Sequence, residues 1–136
     1  MSKIVINSYT SSDITLAKAY FKILVETAIK RETITYGDLV AESKRRYADD
    51  KEIACGIATT AGRRLEVLRD HTSLFDLSDI SCLAVSAGTQ EAGDAYHLKE
   101  QAESLRLAVY ETEWLDYYSS ILKALDTTRA EWVNDG

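Results

Sequence analysis

The groups in this chain that could do chemistry are two cysteines, two histidines and an uneven spread of charge. Cys55 and Cys82 sit far apart, each among apolar neighbours, and His71 and His97 are equally isolated. No CxxC or CxxH pair occurs, so the usual spacing of a zinc site is missing. Glycine loops of the GxGxxG or Gly-Lys-Ser/Thr kind, which cradle phosphates, are also absent. No HExxH or EF-hand pattern organises the many carboxylates. No cofactor and no metal is therefore expected. Both cysteines read as small buried hydrophobes, the commonest fate of a free thiol. A thiol of ordinary pKa is mostly protonated at neutral pH, and Cys82 has no activating residue beside it.

Two charged constellations remain. Lys44, Arg45 and Arg46, with Arg63, Arg64 and Arg69, form the basic one. On adjoining helices they would meet two or three phosphates. Tyr47, beside the triplet, would either cap the edge of the core or stack on a base. The acidic constellation is Glu111, Glu113 and Asp116, interleaved with Trp114, Tyr117 and Tyr118. The three aromatics are three and four residues apart and share one side of a helix. They pack inward, or they anchor a partner whose basic surface the carboxylates steer. Tyr117 is the one expected outside, because Trp114 and Tyr118 lie in line with Leu122 and Leu125.

Charge follows the same division. Residues 1–72 hold 12 Lys and Arg against 10 Asp and Glu, net +2; residues 73–136 hold 4 against 12, net −8. The whole chain is −6, which disfavours a general nucleic-acid or membrane coat. No run of about 18 apolar residues suggests a membrane span. The start, Met1-Ser2-Lys3-Ile4, lacks the long apolar core of a signal peptide. A cytoplasmic location is expected.

The elements that must position these groups are mostly helices. Proline is absent from all 136 residues, and proline is costly inside helices. Lys3 to Asn7 suggests a short edge strand. Ser11-Ser12-Asp13 offers an N-cap for a helix over Ile14 to Arg31 with its apolar residues three and four apart. Thr35 to Asp38 resembles a capping box, opening a helix over Tyr36 to Tyr47. Asp49-Asp50 would cap a further helix over Lys51 to His71. Leu77 to Ala87 lacks helical period and predicts a strand, followed by a glycine-bearing loop. From Leu98 the chain is helical again, with Leu105, Val109, Leu115, Tyr118, Leu122 and Leu125 on the apolar spacing and a break near Glu111-Thr112-Glu113. One domain of 136 residues is long enough to bury a core unaided.

The fragments Thr35-Tyr36-Gly37-Asp38-Leu39-Val40, Ala54-Cys55-Gly56-Ile57-Ala58 and Ile80-Ser81-Cys82-Leu83-Ala84-Val85, with a glycine loop ending at Tyr96, carry a resemblance. In that order they resemble the C-terminal domain of alkylguanine-DNA alkyltransferases and alkyltransferase-like proteins, over residues 32–96. The stretch Ile80 to Tyr96 is also similar to a group of small bacterial and phage proteins with a Thr-Tyr-Gly start. The resemblance implies a winged helix on the DNA minor groove and a reactive cysteine at Cys82. Two departures stand against it. The family's Pro-Cys-His-Arg is Ser81-Cys82-Leu83-Ala84 here, without the histidine, and the arginine the family inserts into DNA falls at about Ile53. The loop Thr89-Gln90-Glu91-Ala92-Gly93 also lacks a glycine and a proline of the phage-type pattern.

The expectation is a mainly α domain with a small β-wing: a winged-helix-like unit over 32–96, an N-terminal helix before it and C-terminal helices over 98–136. The expected function is a non-enzymatic interaction module for a protein with a basic surface, in a phage–host or mobile-element setting. Glu111, Glu113, Asp116 and Tyr117 are its contact residues, and the same aromatic surface would serve a homodimer. The alternative is a winged helix binding DNA weakly through Lys44, Arg45, Arg46, Arg63 and Arg64. A thiol-dependent alkyltransferase-like enzyme centred on Cys82 is the third reading.

Overall fold

A computed structural model describes residues 11–54, 56, 61–85 and 102–135. The fold is mainly helical with a small β element. In order come α1 (Ser11–Ile29), β1 (Ile34–Thr35), α2 (Tyr36–Arg46), α3 (Lys51–Ala54), α4 (Ala61–Ser73), a 3-10 helix (Ile80–Leu83), β2 (Ala84–Val85), α5 (Ala102–Glu111) and α6 (Trp114–Asp135).

The centre is α1. Ile14, Ala17, Tyr20, Phe21, Leu24, Val25 and Ala28 are buried as their spacing predicts, and so are Leu16, Ala19 and Ile23, whereas Ile29, on the same spacing but in the last position of the helix, is 59% exposed. A helix apolar around most of its circumference must lie inside, and α1 touches each of the other helices. Outward it offers the polar strip Thr15, Lys18, Lys22 and Glu26, with Ile29 exposed at its end. Its start differs from expectation: Ser11-Ser12-Asp13 lies within the helix. The Asp13 carboxylate is buried and pairs with Arg64 of α4, Oδ1 to Nε 2.9 Å.

Helix α2 begins as its sequence predicts, with Thr35 Oγ1 accepting the Asp38 amide at 3.1 Å. The single helix expected over Lys51 to His71 is not continuous. It stops at Ala54, and α4 opens at Ala61. Gly56 shows why: a Cβ there would lie 2.9 Å from Tyr20 Oη and 3.0 Å from a Leu16 methyl. The backbone presses so closely on α1 that the chain turns, closed by the Gly56 amide on Ile53 O at 3.0 Å.

Leu77 to Ala87 is likewise not one strand. Asp79 Oδ1 accepts the Ser81 amide at 3.0 Å and its hydroxyl at 2.6 Å. That local bond competes with extended structure and winds Ile80–Leu83 into a 3-10 helix. Only Ala84–Val85 is extended, paired in parallel with β1 in the register Ile34 to Ala84 and Thr35 to Val85. The expected strand at Lys3 to Asn7 and the glycine loop Gly88 to Asp94 lie outside the described residues.

The break near Thr112 is present. The Trp114 indole donates to Val109 O, 2.8 Å, satisfying a carbonyl at the end of α5. Phe21 of α1 meets Trp114 edge-on at 6.3 Å and stacks on Tyr118 at 5.4 Å. The buried line of α6 is Trp114, Ile121 and Leu125, with Tyr118 and Leu122 half-buried. Leu115 is not on it. Leu115 shares the spacing of Tyr118, Leu122 and Leu125 but falls at the far edge of that stripe, beyond the half-buried Leu122, and is 72% exposed.

Candidate functional site

The corner between α5 and α6 gathers the acidic constellation. Glu111 closes α5, Glu113 lies in the link, and Asp116 and Tyr117 stand in the first turn of α6. All four are exposed, Tyr117 at 37%. Trp114 turns into the core and Tyr118 packs on Phe21. The division of the aromatics is therefore the one the sequence predicts: two inward and Tyr117 outward. Leu115 and Leu107, 63% exposed, add apolar area that the sequence reading missed. The end of α1 is tied to this corner. Arg31 pairs with Glu111 at 3.3 Å and lies over the Tyr110 ring, whose hydroxyl donates to Glu32 O at 2.9 Å.

The basic constellation is largely occupied. Arg46 makes a fork to Glu26, 2.8 and 2.6 Å, and a third bond to Glu42 at 2.7 Å. Arg45 also bonds Glu42, 2.9 Å through Nε. Hydrogen bonds from Arg45 and then Arg46 pull the Glu42 carboxyl down to about 2. The bond to Glu26 raises the Arg46 pKa further. Arg46 is half-buried because α2 lies against Glu26 of α1, so it is not open to a phosphate as the sequence reading expects. Arg64 is turned inward to Asp13. Lys44 is half-buried, and the Arg63 side chain is outside the described residues. Among the described side chains, Arg46 and Arg64 are turned to carboxylates and Arg45 shares Glu42, so these cations are not gathered on one open face.

Cys82 is fully buried, and its backbone carbonyl accepts a bond from Arg106 Nε at 3.0 Å. Burial, and after it the nearby Asp79, pushes the thiol up to about 12. His71 is also buried, its Nδ1 2.7 Å from Val67 O, and burial pulls its pKa down. Cys55 and His97 lie outside the described residues. Among the described residues no three His, Cys, Asp or Glu side chains converge on a metal-sized site. No described helix is long and apolar enough to cross a membrane.

No family model, curated protein or solved structure matches this chain. The functional reading rests on these surfaces.

Proposed function

We propose that this protein is a non-enzymatic interaction module that docks a basic protein surface on the corner between α5 and α6. The observation that carries the reading is Tyr117, exposed in the first turn of α6, within a rim of Glu111, Glu113 and Asp116. An apolar and aromatic anchor supplies desolvated area at an interface centre. The carboxylate rim steers a cationic partner and discriminates against acidic ones. The nucleic-acid alternative has less support, because Arg45, Arg46 and Arg64 already hold carboxylates. The thiol-enzyme alternative lacks a thiolate at Cys82.

The test is capture of binding proteins from nuclease-treated lysate, comparing wild type with Glu113→Lys/Asp116→Lys. All three acidic rim residues are exposed, so the melting temperature should hold. Capture by wild type should weaken with salt, and the reversed variant should lose it. Equal capture by both, or capture abolished by nuclease, would overturn the reading.

A further inference from the structure

A groove of about 420 Å³ runs between α1 and α6, closed at one side by the link from α2 to α3. It is separate from the acidic corner: on α6 it uses Tyr118 and Leu122, which lie on a different flank from Tyr117. Ala19, Ile53 and Leu122 contribute apolar lining, and the small Ala19 gives it depth. Tyr47 and Tyr118 also line it. Burial, then Tyr47 and Glu26, raise the Tyr118 hydroxyl, so it stays a protonated donor at neutral pH.

Three charged side chains line this groove, Lys18, Lys22 and Asp50. Lys18 is held by Asp126 of α6. Asp50 accepts the Ile53 amide at 3.1 Å as the cap of α3. That leaves Lys22, exposed on α1, one turn along from Lys18. The nearest carboxylate to act on its ammonium is Glu26, which is itself held by the Arg46 fork. At ~30 Å³ per water-sized group, the volume has room for roughly a dozen heavy atoms.

We propose that this groove binds a small amphipathic monoanion, an aryl or alkyl carboxylate. Its apolar body lies on Ala19, Ile53 and Leu122. Its carboxylate meets Lys22 and accepts from a tyrosine hydroxyl. A dianion is disfavoured, because Asp50 and Asp126 stand at the same rim and a second negative charge would find no free cation.

The experiment is an amide NMR titration of the full chain with 3-phenylpropionate, and with 3-phenylpropan-1-ol as the uncharged match. Saturable shifts are expected at Ala19, Lys22, Ile53 and Leu122, with a Kd of about 1 mM or below. The alcohol should bind about fivefold more weakly, the size of one partly exposed charge contact. Lys22→Gln, an exposed change that leaves packing alone, should remove the acid's advantage; Lys30→Gln should not. The proposal is overturned by shifts that do not saturate or lie elsewhere. Equal binding of acid and alcohol, or an unchanged preference in Lys22→Gln, would also overturn it.

Discussion

At Cys82 the fully buried thiol has Asp79 nearby and the Arg106 guanidinium on its own carbonyl. With its pKa pushed up to about 12 it is protonated at neutral pH, and alkylating reagents attack thiolates. In a Cys55→Ser background, Cys82 should therefore label only as fast as the protein unfolds, and urea should accelerate it. Rapid labelling of the folded protein would contradict this. His71 makes a second case. Its pKa is lowered by burial, so the unfolded chain takes up the proton first as pH falls. Stability is complete above the unfolded value of about 6.5 and declines below it until the folded pKa is reached. The slope cannot exceed ~1.4 kcal/mol per pH unit for one proton. Melting temperatures of wild type and His71→Gln between pH 7.5 and 5.5 should show the steeper fall in wild type.

Among the elements, helix ends and close approaches carry most of the specification. Both α1 and α4 finish with a residue at positive φ, Arg31 at 56° and Asp76 at 57°, each followed by an amide that reaches back five residues. Glycine is the usual residue there, yet the sequence reading, which ended these helices at Arg31 and His71, came within two residues of both ends. A left-handed conformation costs an L-residue ~1–2 kcal/mol. Asp76, which is exposed, isolates the effect: Asp76→Gly should raise stability by about 0.5–1 kcal/mol in urea melts, net of glycine's greater chain entropy. Gly56 works in the opposite sense. A methyl there collides with Tyr20 and Leu16, so Gly56→Ala should cost about 1–3 kcal/mol by overpacking.

In the whole molecule, α1 is the hub, and its ion pairs differ in worth. Asp13 and Arg64 are both largely withdrawn from water, whereas Lys18 and Asp126 remain substantially exposed. Breaking a buried pair leaves a charge stranded, at about 3–5 kcal/mol; an exposed pair is worth ~0–1 kcal/mol. Asp13→Asn should thus lower stability several times more than Asp126→Asn, read in the same urea melts. The sequence alone determined much of this arrangement. Apolar spacing identified α1, Thr35 marked a helix start, and the link at Thr112-Glu113 marked a break. These depend on local periodicity and capping, which a few neighbouring residues encode. The outward Tyr117 was legible for the same reason. Other features needed the tertiary structure. The split between α3 and α4 arises where Gly56 meets α1, and the burial of Arg46 and Arg64 arises from carboxylates far away in the chain. Leu115 is exposed because the buried line of α6 centres on Trp114, Ile121 and Leu125 and leaves it past the edge of the apolar stripe. Each of these turns on which distant side chain occupies a given volume, and packing in three dimensions sets that where residue spacing cannot.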